Sequence, residues 1–313
     1  LNYFMSNIKT YGVLFGLLIG IIVAGTIVFS NLFDDSKEIS FTDDTPIISS
    51  DRLTVHEIID SSLIFQTAHF ETNKKSLVEF YLTPRDHIRI TNNSGAQLLD
   101  EVRIELKLEF LELYELVSSP DNVVVIYPTF TSAAYSEPGF YTFFRGQCDE
   151  SCITDLSFDT PTLGFTSSGM STQLLHILGY EFLTDVDVDK NPDILKNYDA
   201  IILLHNEYVT QKMFDAVTSH PNIVYLFPNA LYAEIDVNYD DNTMTLIRGH
   251  NYPEFEIKNG FNYEIEQRFH DYEYDTDCID WEFIEFENGH ALNCYPDLMI
   301  HTDLDILLKM KEF

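Results

Sequence analysis

Two short runs without a charged residue, Val123 to Tyr127 and Ile201 to Leu204, constrain the fold of this chain most strongly. A strand that is apolar at every position must be covered on both faces, which is the habit of a parallel sheet flanked by helices. Around these runs strand and helix signals alternate: a helix near Ser171 to Leu178, a strand at Tyr180 to Thr184, a helical turn after Pro192, strand 199–204, helix 209–219 and strand 222–227. Such alternation predicts βαβ units and an α/β fold, a flavodoxin-like parallel sheet sandwich over residues 120–313. The tail is expected to differ, with antiparallel strands at Thr243 to Arg248, Trp281 to Glu287 and His290 to Asn293 and a closing helix at Asp303 to Lys311.

Upstream, residues 11–33 carry no charge, and this stretch matches the roughly 20 apolar residues a bilayer-spanning helix needs. The reading is a stub and one transmembrane helix over 1–33, a polar linker over 34–50 and a β-rich region over 51–119. In that region Val102, Ile104, Leu106, Leu108 and Phe110 alternate with charged residues as a strand with one wet face. Lys9 before the span and Asp34-Asp35 after it favour a cytoplasmic N-terminus and a large extracytoplasmic part at the cell membrane. A cleaved signal peptide ending near Ser30 is the rival, although the apolar run exceeds an ordinary signal core. The natural start is open between Met5 and a non-standard codon before it.

Charge narrows the partners. With 18 basic and 51 acidic side chains the net charge is −33, spread from residue 34 to the end, so nucleic acid is excluded as a partner. An acidic surface suits solubility in a salty exterior, or the collection of cations. Self-association and other envelope proteins stand as expected partners. The 4 cysteines predict two disulfides, Cys148 to Cys152 and Cys278 to Cys294, with a zinc site as the alternative. Register across Asn288-Gly289 would set residue 294 opposite about 283, so strand pairing alone does not join the second couple.

The candidate site lies where strands end, because open α/β sheets bind ligands beyond the carboxyl ends of their strands. Directly after Ile201 to Leu204 comes His205-Asn206-Glu207-Tyr208-Val209-Thr210, which joins an imidazole, an amide, a carboxylate and a phenol. Thr210 or its predecessors can also cap the next helix, so a purely structural role is the competing reading. Other strand-end loops add Pro128 to Thr131 with Tyr135, Ser167-Ser168-Gly169 and Pro228-Asn229. No nucleophile elbow occurs, which disfavours serine or cysteine acyl chemistry.

Three segments, PTFTSAAY at 128–135, DVDVDKNPDILKNYDAIILLHNEYVT at 185–210 and VYLFPNALYAEI at 224–235, resemble the C-terminal region of the N,N-dimethylformamidase large-subunit family. The resemblance spans roughly residues 121 to 236 and implies a class I glutamine amidotransferase-like fold. It also implies an iron site of two tyrosines and a glutamate that activates water against an amide. Tyr208 is the tyrosine it carries over most directly, with Tyr135 as the second metal ligand. Glu207 and His205 are the expected catalytic groups, and Asn206, Ser168 and Asn229 would bind substrate. Pro228-Asn229 stands where the family has Gly-Asn. The whole chain also resembles membrane-anchored archaeal proteins to which no activity is attached. The expectation is an anchored extracytoplasmic protein with an amidotransferase-like, ligand-binding or envelope-associated domain, and the alternative is a metal-dependent hydrolase of non-peptide C–N bonds.

Overall fold

The computed structural model describes residues 68–70, 76–82, 88–90, 97–99, 102–158, 168–261, 275, 278–286 and 288–313. The apolar stretch 11–33 and the linker 34–50 lie outside the described residues; among those described, no helix is long and apolar enough to cross a membrane. The first described strands are β1 (Ala68–Phe70), β2 (Val78–Leu82), β3 (Ile88–Ile90), β4 (Gln97–Leu99) and β5 (Val102–Leu106), all paired antiparallel. They are followed by β6 (Val123–Tyr127), β7 (Leu156–Ser157), β8 (Glu181–Thr184), β9 (Ala200–Leu203) and β10 (Tyr208–Val209). The last are β11 (Ile223–Tyr225), β12 (Ala233–Asn238), β13 (Thr243–Arg248), β14 (Phe283–Phe286) and β15 (Gly289–Leu292).

The central sheet has the order β14-β15-β11-β9-β6-β8. Its parallel members, taken in chain order, stand as second, first, third, fourth and fifth, which is the doubly wound order of flavodoxin-like sheets. Alternate residues of each strand serve opposite cores. Val125, Tyr127, Ile202, Leu204 and Val224 pack with the helices Gly169–Ile177 and Leu304–Met310. Val124, Ile126, Ile201, Leu203 and Ile223 pack with the helices Asp185–Lys190 and Gln211–Thr218. The continuous apolar runs are thus explained: both faces of the sheet are covered.

A second sheet, β10-β12-β13-β7, grows out of the loop that leaves β9. It shares a third core with the helices Thr129–Ala134 and Phe140–Phe144 through Phe130, Phe140, Tyr208, Ile235 and Leu246. β2 and β5 send Val78 and Ile104 into the core that holds helix Gly169–Ile177, and the Ile104 amide donates to Gln173 Oε1 at 3.2 Å.

Several expectations need correction. The strand expected through Phe110 ends at Leu106, and Leu108–Phe110 and Leu111–Val117 are helical, because the leucine- and glutamate-rich segment favours helix once it leaves the sheet. Helix 209–219 begins only at Gln211: Tyr208-Val209 pairs with β12, and Thr210 Oγ1 caps the helix by accepting from Met213 N at 3.2 Å. The acidic DVDVDK forms a helix whose capping box joins Thr184 and Asp187. The tail is not one antiparallel unit, since β15 runs parallel to β11 and β13 belongs to the second sheet. The β14–β15 register pairs Phe283 with Leu292, two residues from the expected one, and sets Gly289 in the strand. There a Cβ would come within 1.8 Å of Ile223 O, so only glycine lets β15 approach β11. The cysteines, by contrast, pair as expected, Cys148–Cys152 and Cys278–Cys294, and none is free.

Candidate functional site

The order of strands in the central sheet reverses between β6 and β9, and ligand crevices form at such a switch point. Two segments leave the strand ends here. One is the helix Thr129–Ala134 with Tyr135 after it; the other is His205 to Tyr208. Thr131 ties them together, because its Oγ1 accepts from Glu207 N at 3.0 Å and from Tyr208 N at 3.2 Å. The Glu207 carbonyl in turn accepts from Tyr232 N and Ala233 N, both at 2.9 Å, and the Asn206 carbonyl accepts from Leu231 N at 2.8 Å. Bonds to two neighbouring segments, the helix that carries Thr131 and residues 231–233, therefore fix where the Glu207 side chain starts.

That side chain is fully buried, and each of its oxygens meets an imidazole and a phenol, with the Tyr141 hydroxyl reaching Oε2 as well at 3.5 Å. Oε2 accepts from the Tyr135 hydroxyl at 2.9 Å and lies 3.4 Å from His205 Nε2. Oε1 accepts from the Tyr141 hydroxyl at 3.2 Å and lies 2.5 Å from His250 Nε2. The two phenol oxygens are themselves 2.9 Å apart. Burial works to raise the Glu207 pKa, but the His250 ring, His205 and the Tyr135 hydroxyl outweigh it and hold the carboxyl below its ordinary value. For Tyr135 and Tyr141 burial acts first and the neighbouring carboxylate second, and both push the phenols above their ordinary value. The cluster is then a carboxylate bound to two neutral phenols.

Aromatic rings wall the cluster. His205 stacks on Phe227 with centroids 5.2 Å apart, and His250 contacts Tyr208 at 5.4 Å and Tyr232 at 4.6 Å. Tyr135, Tyr141 and His250 are partly exposed, so the carboxylate lies just below the surface.

The expected site residues divide. Glu207, His205 and Tyr135 come together as described. Tyr208 is buried beside Tyr141, but its hydroxyl has no hydrogen bond of good geometry, and burial raises its pKa. Ser168 Oγ accepts from His205 N at 2.8 Å and so braces the loop. The Asn206 side-chain amide and Asn229 Oδ1 are buried without hydrogen-bond partners and are not bonded to the cluster. Tyr141 and His250 are the members that sequence reasoning missed. Tyr141 had a signal, a second tyrosine six residues after Tyr135 across the Pro138-Gly139 turn. His250 had none, since only the second sheet brings it back to Glu207.

The donor set bears on the implied iron. Among the described residues, no group of three or more His, Cys, Asp or Glu side chains could hold a metal ion. Any ion here would need the tyrosines. Two phenols and a carboxylate are hard oxygen donors suited to a ferric or similar ion, and four oxygens share only two phenolic protons, so acceptor capacity is left over. The residues present fit such an ion.

Residues 108–275 match the family described as N,N-dimethylformamidase beta subunit-like, C-terminal. Among curated proteins none matches the chain. With more than half its length matched, and with the strand-end residues of that region converging on one buried carboxylate, the chain belongs to the N,N-dimethylformamidase beta subunit-like C-terminal family.

Proposed function

We propose that the Glu207 cluster is the site of a metal-dependent hydrolase acting on the C–N bond of small amides. The carrying observation is the approach of the Tyr135 and Tyr141 hydroxyls to the two oxygens of one buried carboxylate at the switch point of the sheet. Tyr135, Tyr141 and Glu207 would hold the ion. Bound there, it supplies the Lewis acidity that polarises an amide carbonyl and activates water.

The chain does the rest. To hold the ion each phenol would give up its Oη proton, so metal uptake would be coupled to proton release. Thr131 and the backbone bonds to Glu207 keep the carboxylate in place, and the ring wall limits the water around it. His205 Nε2, at the Oε2 edge, is placed to hold a proton and return it to the departing amine. Water adds across the C–N bond, its hydroxyl to the carbonyl carbon and its proton to the amine.

The strand order supports an amidotransferase-like fold, and the two disulfides support an extracytoplasmic location with residues 11–33 as the anchor. A second reading, a ligand-binding or envelope-associated module without turnover, is favoured by one observation: four side chains, Tyr135, Tyr141, His205 and His250, already surround the Glu207 oxygens. The test is release of amine from N,N-dimethylformamide and simple alkylamides by ferric-loaded protein, with Glu207→Gln as control. Amine release that the control lacks supports the hydrolase. Stoichiometric iron with no release from any of them supports the binding module.

A further inference from the structure

We propose that His250 is a positioning residue that fixes the plane of the Glu207 carboxylate, delivered by a closed strap of residues 248–260. This rests on the metal-site reading above.

The strap is closed by its own backbone. Gly249 N donates to Tyr252 O at 2.9 Å, His250 N to Lys258 O at 2.9 Å and Asn251 N to Ile257 O at 2.7 Å. Its base is pinned where Gly260 N donates to Tyr232 O at 2.8 Å and Arg248 Nη1 to Gly260 O at 2.9 Å. Tyr232 is also the residue whose amide holds the Glu207 carbonyl, so the strap and the carboxylate share one anchor.

The backbone that carries His250 is unusual. Gly249 has φ 123°, His250 φ 52° and Asn251 φ 67°, three successive residues in a region that L residues enter rarely. A Cβ at Gly249 would also lie 2.9 Å from Ala233 Cβ. Such conformations persist where the surroundings over-determine them, and they gather at functional sites. What this one achieves is to set Nε2 2.5 Å from Oε1, with the ring held by Tyr208, Tyr232 and Phe144.

The effect on the carboxylate is geometric. His205 and Tyr135 hold Oε2 from one side; without His250, Oε1 would keep only the Tyr141 contact at 3.2 Å and could rotate about the last side-chain bond. Partners of this outer kind orient metal ligands, and their loss typically costs about 10–100-fold in metal affinity.

The experiment is a ferric nitrilotriacetate titration of wild type, His250→Ala and His250→Gln, following the phenolate-to-iron absorption and bound iron, with thermal melts to verify folding. The expected result is about a tenfold or greater loss of iron affinity and a shifted absorption band in His250→Ala, with recovery in His250→Gln, whose amide can still donate to Oε1. Affinity and band unchanged in a folded His250→Ala would overturn the inference while leaving the metal site standing. Should His250→Ala fail to fold, His250→Gln decides alone: a band and affinity within about twofold of wild type uphold the inference, and a loss equal to that of Tyr141→Phe overturns it. Wild type that takes up no iron and shows no band would overturn both.

Discussion

A buried carboxylate costs several kcal/mol unless its lost water is replaced, and the chain replaces it in two ways with opposite consequences for pH. Glu207 has imidazoles and phenols around it and titrates below its ordinary value, so the stability it contributes is present above the ordinary glutamate range and is lost as pH falls through the lowered value. Asp297 is held by hydrogen bonds from neutral donors. It accepts from Ser171 N at 2.8 Å, Ser171 Oγ at 2.7 Å and Met170 N at 3.3 Å, yet burial dominates and its pKa is pushed up from 3.8 to about 6. A raised acid binds its proton more tightly when folded, so its contribution is fully present below the unfolded value and is lost as pH rises through about 6. At ~1.4 kcal/mol per pKa unit the loss approaches roughly 3 kcal/mol. Denaturation of wild type and Asp297→Asn at about pH 4 and about pH 7.5 should therefore show the variant gaining relative to wild type by on the order of 2–3 kcal/mol at the higher pH. An identical difference at both pH values would contradict the assignment.

At the scale of elements, the site depends on how the helix Thr129–Ala134 is fastened to the loop after β9. Thr131 Oγ1 is the fastener, fully buried and accepting from two amides. Thr131→Val keeps the shape and strands both amides, so a loss of about 1–3 kcal/mol is expected. For a chain of this size that is a fall of several degrees in melting temperature; an unchanged melt would show that the two amides find other acceptors. The same helix illustrates why parts of the fold were hard to read. β6, β9 and β11 announce themselves, since a run such as Val123 to Tyr127 can only be a doubly covered strand. PTFTSAA has no such period, because nearly all of its residues are buried between other elements, and it read as a loop. β15 was read only in part for a related reason: it pairs antiparallel with β14 as expected, but its parallel pairing with β11 is decided by a distant partner, Ile223 beside Gly289.

For the whole molecule, the two sheets meet at one carboxylate. The central sheet supplies the strand ends that carry Tyr135, His205 and Glu207, and these were legible because binding at strand ends is a property of the architecture. The second sheet returns His250 to the same point, and Tyr141 arrives on a short aromatic helix beside it. Tyr141 left only its spacing from Tyr135 as a signal and His250 left none, since both depend on how the second sheet folds over the first segment. Against a net charge of −33, the interior cluster is distinguished by setting phenol oxygens beside its carboxylate.

The most direct measurement is bound iron and phenolate-to-iron absorption in wild type, Tyr135→Phe, Tyr141→Phe and Tyr208→Phe after loading under identical conditions. The expected outcome is one iron per chain with a phenolate band in wild type, loss of iron in Tyr135→Phe and Tyr141→Phe, and iron with an intact band in Tyr208→Phe. Wild type that binds no iron, or loss confined to Tyr208→Phe while Tyr141→Phe keeps its metal, would contradict it.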